Sequence, residues 1–234
     1  MKKRSIALLL LLVLLTGCGA KTEEAPWQTA YRETGKYLQK QDALSAGSVG
    51  GEWAVIGLSR AGLLTDKTAV AYEQTAADYA VGAVSGRLDR AKSTENSRTI
   101  LGLTAAGYNA TAVAGVDLTS GLSDMNYLRI QGLNGPIWAL IALDCHSYDI
   151  PQCAEGGEQT TRAGLVAEIL TSQCSDGGWT LAGDTADVDM SAMALTALAA
   201  YKEDDEVKAA VDAALAYLSD AQQEDGGFIS WGEP

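Results

Sequence analysis

The sequence predicts an all-α fold built from stacked helical hairpins. Four stretches of about ten small and apolar residues recur roughly every 40 to 55 residues, a period typical of repeated helical hairpins. Charged, amphipathic stretches alternate with them, and no segment alternates apolar and polar residues over the length of a strand. The apolar stretches start at Trp53, Arg98, Ile137 and Ser191, and the amphipathic ones cover 30–40, 66–83, 160–173 and 204–222. We therefore expect buried inner helices and exposed outer helices, stacked as an open solenoid or a closed ring.

Residues 1–17 have the features of a lipoprotein signal peptide. Three basic residues at 2–4 precede an apolar run at 6–15, which leads into the sequence Leu15-Thr16-Gly17-Cys18. The run is shorter than the roughly 20 apolar residues with which a helix spans a bilayer. We expect cleavage before Cys18 and lipid on its thiol, which would hold an extracytoplasmic protein on the outer face of a bacterial membrane. Residues 18–28 would then form a tether, and 29–234 the folded domain.

The charge and composition exclude two classes of protein. The chain has a formal net charge of −13, and removal of residues 1–17 takes away three positive charges, which leaves −16. Because so acidic a surface repels phosphate, nucleic acid is not an expected partner. Hydrophobic residues make up 47% of the chain, which suffices for one sizeable core and excludes a disordered protein.

The cysteines give little sign of a metal site. Cys145, Cys153 and Cys174 remain after lipidation, and His146 is the only histidine. Their spacing matches no compact zinc motif, so we expect no metal and no required cofactor. A disulfide of Cys153 with Cys145 or Cys174 is compatible with an export compartment, and buried free thiols are the alternative.

Several helix starts have local signals. Asp66 is a candidate N-cap for the second amphipathic helix, and the acidic run 204–206 suits the first turn of the fourth, where the helix dipole favours negative charge. In the third inner helix, Asn134 is a candidate N-cap, Gly135 permits a turn and Pro136 is tolerated in a first turn.

Two glycine turns separate the later hairpins. Asp176-Gly-Gly-Trp179 and Asp225-Gly-Gly-Phe228 each follow an amphipathic helix that ends near a glutamine, Gln173 or Gln222. Paired glycines permit the backbone angles of a tight turn, and the aromatic residue can stack on the end of the preceding helix.

With their preceding helices, these turns resemble the glutamine–tryptophan repeat of squalene and hopene cyclases, in the terpene cyclase and prenyltransferase superfamily. The resemblance covers roughly residues 130–234, and the earlier part only through its repeat. It implies an α/α toroid. In that family the glutamine ties the end of an outer helix to the next turn and the aromatic residue stacks on it, so Gln173, Trp179, Gln222 and Phe228 would be structural.

The segment Asp187-Val-Asp189-Met190-Ser-Ala192 resembles the Asp-x-Asp-Asp-Thr-Ala motif of the cyclases. There the middle aspartate protonates an alkene, which makes Asp189, with Asp187, the candidate catalytic acid. Met190 replaces the third carboxylate, and one phenylalanine and five tryptophans offer few aromatic faces to stabilise carbocations. Capping of an inner helix by Asp187 and Asp189 is the structural alternative. Protein prenyltransferases of the superfamily hold zinc through Asp, Cys and His, and the sequence has no Asp-x-Cys followed by a suitably placed histidine.

The chain is also similar to cobalamin carriers, whose α/α barrels bind a corrinoid, and to toroidal domains of exported bacterial proteins. The similarity to the carriers lies in the extracellular location and the lack of catalytic residues, and the similarity to the exported bacterial domains lies in the stretch 131–144. It implies ligand-binding candidates along the third inner helix and just beyond it: Asn134, Trp138, Asp144, His146 and Tyr148. A helix-end cation or a surface residue is the alternative for His146.

The chain ends just after a turn that should introduce another inner helix. We count four inner helices where toroids of this superfamily use about six hairpins, so we expect an incomplete ring or a further domain after Pro234. The sequence thus predicts a surface lipoprotein that binds a ligand such as a corrinoid, glycan or peptide without catalysis. A terpenoid cyclase and a structural surface module are the alternatives.

Overall fold

Helices make up the regular structure of the protein, as the all-α prediction requires. A computed structural model describes residues 25–41 and 44–229, where no strand occurs and only isolated β-bridges join extended segments. The predicted signal peptide, Cys18 and Pro234 lie outside the described residues. The α-helices of this part are α1 (Pro26–Leu38), α2 (Val49–Arg60), α3 (Asp66–Ala80), α4 (Ser93–Ala105), α5 (Met125–Leu128), α6 (Asn134–Asp144), α7 (Arg162–Thr171), α8 (Val188–Leu198) and α9 (Asp205–Ala221).

The helices α2, α4, α6 and α8 form a row of inner helices, in which each helix packs against the next. They run in the same direction. Near their first residues, the side chain of Gln131, just before α6, accepts the backbone N–H of Thr94 in α4 at 2.9 Å. Near their last residues, the Ser59 hydroxyl of α2 donates to the carbonyl of Ala105 at the end of α4 (2.6 Å).

The helices α1, α3, α7 and α9 flank this row as outer helices, so that outer and inner helices alternate along the chain. Between α4 and α6 the outer position is taken by the short α5 and two 3-10 helices, Leu118–Leu122 and Arg129–Gln131. Helix α1 begins at Pro26, three residues before the predicted domain boundary. No helix in 25–41 or 44–229 is long and apolar enough to cross a membrane.

Small residues let the inner helices pack closely. A Cβ on Gly102 of α4 would collide with the hydroxyl of the buried Tyr72, and one on Gly135 of α6 would collide with the carbonyl of Leu128. Gly135 is therefore needed for a close backbone approach within the helix, and not for the turn that the sequence suggested. In α6 the side chains of Ile137 and Leu140 are fully buried.

The helix starts agree only in part with the predicted caps. Asp204 caps α9 through the N–H of Glu206 (2.9 Å), as its acidic run indicated. Thr65, not Asp66, caps α3. Asn134 is the first residue of α6 and no side chain caps that helix, so the prediction of Asn134 as the N-cap was wrong. Leu133 and Asn134 already have helical backbone angles, which a capping residue lacks.

Each inner helix leaves one side exposed. We call this surface the inner face; its residues are spaced by three or four and are partly or fully exposed. They are Trp53, Gly57 and Arg60 in α2, Thr94, Arg98 and Leu101 in α4, Asn134, Trp138 and Ile141 in α6, and Asp189, Ala192 and Thr196 in α8.

Candidate functional site

Two tryptophans meet at the centre of the inner face. Trp53 of α2 and Trp138 of α6 have ring centroids 5.3 Å apart and planes tilted by 56°, a favourable geometry for an aromatic pair. Because α4 lies between α2 and α6, the rings reach across it. Trp53 is nevertheless 40% exposed. The tryptophan pair is thus an aromatic platform open to solvent.

Helix α4, over which the two tryptophan rings meet, contains an ion pair. A guanidinium nitrogen of Arg98 lies 2.7 Å from a carboxylate oxygen of Glu95, and the two side chains are only 12% and 16% exposed. The Tyr79 hydroxyl donates to the same oxygen (3.2 Å). The one cation of α4 is therefore neutralised within the protein.

Three buried polar groups of α2, α3 and α4 lack hydrogen-bond partners. They are one carboxylate oxygen of Glu52, the hydroxyl of Tyr72 and the hydroxyl of Thr99. The other carboxylate oxygen of Glu52 accepts the backbone N–H of Gly47 (2.7 Å). Burial raises the pKa of Glu52, which favours its neutral form.

Sequence reasoning missed Glu52, Glu95 and Arg98 as members of a site. A signal was present, because charged residues are rare in the apolar repeat segments, yet Glu52 directly precedes one segment and Arg98 begins another. Because a buried charge needs a partner, a charged residue at the edge of an apolar segment indicates a polar contact inside the fold, even when the sequence does not identify the partner.

The structure divides the predicted ligand-binding residues into two groups. Asn134 and Trp138 lie on the inner face, Asn134 in the first turn of α6. Asp144 ends the same helix ten residues later, about 15 Å away along the axis. Asp144, His146 and Tyr148 therefore lie near the opposite end of the row and do not join the tryptophan pair in one site.

Within the second group, two side chains already have structural partners. Asp144 accepts from the guanidinium of Arg162 in α7 (2.6 Å) and from the Tyr201 hydroxyl (2.7 Å). Tyr148 is buried and shares a hydrogen bond with the Thr104 hydroxyl (2.8 Å). These contacts join α4, α6 and α7.

His146 is the exposed member of that group. Its ring centroid is 5.3 Å from that of Tyr148. It remains a surface residue at the far end of α6, with Tyr148 as its aromatic neighbour.

The predicted acid residues occupy different environments at the start of α8. Asp187 is the N-cap: one carboxylate oxygen accepts the N–H of Met190 at 2.8 Å, and the other is buried without a partner. Asp189 lies one residue into the helix and is exposed on the inner face. The capping alternative therefore applies to Asp187 and not to Asp189.

The same kind of hydrogen bond occurs in each of the two glycine turns. The side-chain amide of Gln173 donates to the carbonyl of Gly177 at 2.6 Å, and that of Gln222 donates to the carbonyl of Gly226 at 2.9 Å. Both glycines have positive φ, +96° and +86°, the backbone region that favours glycine. Gln173 also donates to the carbonyl of Ala210 in α9 (2.8 Å). It thereby joins one outer helix to the next.

The aromatic residues of the two turns differ. Trp179 is fully buried, and its indole N–H donates to the carbonyl of Ile169 in α7 at 2.7 Å. Phe228 is exposed at the end of the described chain.

No protein-family model, curated protein or solved structure matches this chain. A functional assignment therefore rests on the geometry of the chain's own residues. The inner face, with its tryptophan pair, is the surface on which aromatic and polar side chains of several helices converge.

Two cavities lie at loops away from the tryptophan pair. One of about 590 Å³ is lined by residues 82–90, and one of about 440 Å³ lies between that loop, 115–124 and 152–154. In the second, Arg87 pairs with Asp124 at 2.8 Å and stacks over the ring of Tyr127. Because its principal charges already bind each other, we regard this cavity as structural.

The three cysteines of the described part are free thiols. Cys145 is exposed, whereas Cys153 and Cys174 are partly buried. Within 25–41 and 44–229 no group of three or more histidine, cysteine or acidic side chains is placed to hold a metal ion.

Proposed function

We propose that this protein is a surface lipoprotein whose helical domain binds a small ligand on its inner face without catalysing a reaction. The observation that carries the proposal is the contact between Trp53 and Trp138 across α4. Large aromatic side chains left open to solvent at the convergence of three helices are typical of binding surfaces.

The architecture that we propose is an incomplete α/α toroid. Four inner helices run in one direction, each packs against the next, and outer helices flank them. The recurring bond from Gln173 and Gln222 to a turn glycine supports the resemblance to terpene cyclase and prenyltransferase repeats. In such a ring the inner face would be concave.

The chemistry of the inner face favours a largely neutral ligand with a flat or ring-shaped apolar surface. Such a surface can stack on the tryptophan pair, while Thr94 and Asn134 offer hydrogen bonds from neighbouring helices. Arg98 is already neutralised by Glu95, and the other charges of the face are one cation, Arg60, and one acid, Asp189, so the face has no net charge that would attract a phosphate. A corrinoid and the sugar rings of a glycan both have this chemistry.

The terpenoid cyclase alternative finds less support. Protonating an alkene needs a carboxylic acid held by neighbours that stabilise its conjugate base. Asp189, the candidate acid, is instead exposed to solvent at the inner face rather than enclosed in a dry pocket. Product formation from polyprenyl substrates that disappears in Asp189→Asn would overturn our proposal.

The export half of the proposal places lipid on Cys18 and the domain on the outer face of the cell membrane. Palmitate labelling of cells tests it directly. We expect label on the parent and none on Cys18→Ser; an unlabelled parent would remove the lipoprotein assignment while leaving the binding proposal intact.

Thermal-shift measurements on the mature domain test the binding proposal, with cyanocobalamin and neutral oligosaccharides as probes. A ligand at a hundred times its dissociation constant adds about 2.7 kcal/mol to the stability. Trp53→Ala and Trp138→Ala should lose the shift. Trp27→Ala, which removes an exposed tryptophan outside the inner face, is the matched control and should retain it.

Two outcomes contradict the binding proposal. A shift that persists in Trp53→Ala and Trp138→Ala would place the ligand elsewhere. If no probe of this chemistry shifts the parent, the structural surface module becomes the better assignment.

A further inference from the structure

Helix α1 has an aromatic side that the rest of the described chain leaves open. Trp27 is 67% exposed and Tyr31 48%. Spacings of four and seven residues put Trp27, Tyr31 and Leu38 on one side of the helix. The last turns of α1 pack on the domain, where Gly35 is buried against Leu63. The aromatic residues of the first two turns extend beyond that contact.

The charge of this segment differs from that of the chain. Residues 26–41 contain Arg32, Lys36 and Lys40 against the single acid Glu33, which gives +2, whereas the whole chain carries −13. On a helical wheel the Lys36 position lies opposite Trp27. The helix therefore has an aromatic side and a basic side, although Lys36 also pairs with Glu33 at 2.9 Å.

We propose that the first two turns of α1 bind the surface of an anionic lipid bilayer. Tryptophan and tyrosine favour the boundary between lipid headgroups and acyl chains, because each has an apolar ring and a polar group. Basic residues on the other side attract anionic headgroups. With 13 residues, α1 is about 20 Å long and lies along the interface without crossing it.

The position of α1 fits this role. Pro26 follows Cys18 by eight residues, which span at most about 28 Å when extended. Lipid on Cys18 would hold the domain at the membrane, and α1 would set its orientation there. The inference goes beyond the proposed ligand binding and does not require that Cys18 be lipidated.

Vesicle sedimentation of the mature chain tests the inference, with Cys18→Ser present so that no lipid is attached. The vesicles contain phosphatidylcholine alone or with phosphatidylglycerol. We expect binding only with phosphatidylglycerol, and a blue shift of the tryptophan emission that Trp27→Phe reduces. The double variant Arg32→Glu/Lys36→Glu should bind at least about 25-fold more weakly, since each cation contributes about fivefold near an anionic surface.

Matched controls separate α1 from nonspecific effects. Lys67→Glu changes an exposed charge on α3 and should cost far less binding, and Leu215→Ala truncates an exposed apolar residue on α9 and should cost none. Trp27→Ala/Tyr31→Ala should abolish binding with an unchanged circular dichroism spectrum.

Equal binding by Trp27→Ala/Tyr31→Ala and the parent would overturn the inference, as would binding that does not depend on phosphatidylglycerol. The parent could instead fail to bind vesicles and form a dimer in sedimentation velocity. If the double variant Trp27→Ala/Tyr31→Ala does not form that dimer, this side of α1 binds a second copy of the chain and the inference is overturned. Neither result bears on the palmitate labelling of Cys18 or on ligand binding at the inner face.

Discussion

Replacement of Gln173 by alanine should destabilise the domain much more than the same change at Gln222. Gln173 is partly buried and donates two hydrogen bonds, one to its own turn and one to α9. Gln222 is exposed and donates one, to its own turn. A net contribution of about 0.5 to 1.5 kcal/mol for each bond gives about 1 to 3 kcal/mol for Gln173→Ala. For the exposed Gln222, water replaces the lost partner, and we expect about 0.5 kcal/mol or less.

Thermal unfolding followed by far-UV circular dichroism measures this difference. In a domain of this size, 1 kcal/mol lowers Tm by about 2 to 4 °C. A loss near 2 kcal/mol for Gln173→Ala therefore lowers Tm by about 4 to 8 °C, and Gln222→Ala by about 2 °C at most. Urea unfolding gives an independent free energy. Equal losses in the two variants would refute the claim that Gln173 joins successive outer helices.

Four further variants test burial and packing. Burial raises the pKa of Glu52, so the neutral carboxyl stabilises the folded state at low pH. This contribution is lost as the pH rises through the folded-state pKa. Urea unfolding should therefore show that Glu52→Gln gains stability relative to the parent as the pH rises toward neutral. Trp179→Ala, at a fully buried position, should cost about 3 to 5 kcal/mol in the same assay. Gly57→Ala meets no atom within 4 Å and should stabilise α2 by up to about 1 kcal/mol, whereas Gly135→Ala collides with backbone and should lower Tm. The burial of Glu52 is contradicted if the stability difference between Glu52→Gln and the parent does not change with pH. The packing of Trp179 or Gly135 is contradicted if Trp179→Ala costs little free energy of unfolding or if Gly135→Ala raises Tm.

The helices were predictable because the inner ones bury most of their surface. Segments such as the one starting at Ile137 contain few charges, and that composition marks a helix packed on most sides. Their starts were less predictable. Helix α2 begins at Val49, four residues before Trp53, because the Ser48 hydroxyl accepts the N–H of Gly51 and starts a helix in a glycine-rich stretch that resembles a loop.

The short helices between α4 and α6 were not predicted. Their residues are held by tertiary contacts, for example the hydrogen bond from the Tyr127 hydroxyl to the carbonyl of Asp89 (2.6 Å). Local pattern does not reveal such contacts between residues far apart in the chain.

The candidate site was predictable only in its α6 half. Trp138 and Asn134 stood out within one helix, but the contact between Trp138 and Trp53 joins residues 85 positions apart in the sequence. Asp144 and Tyr148 were predicted to meet a ligand because they lie at the end of α6 or just beyond it. Their hydrogen bonds to Arg162 and Thr104 depend on how the neighbouring helices pack.

Hydroxyl-radical footprinting with mass spectrometry tests the central claim most directly, because it reports where a ligand covers side chains. With a probe that raises Tm, oxidation of Trp53 and Trp138 should fall while that of Trp27 stays unchanged. Protection confined to residues 82–90 and 115–124, with both inner-face tryptophans oxidised as in the free protein, would contradict binding at the inner face.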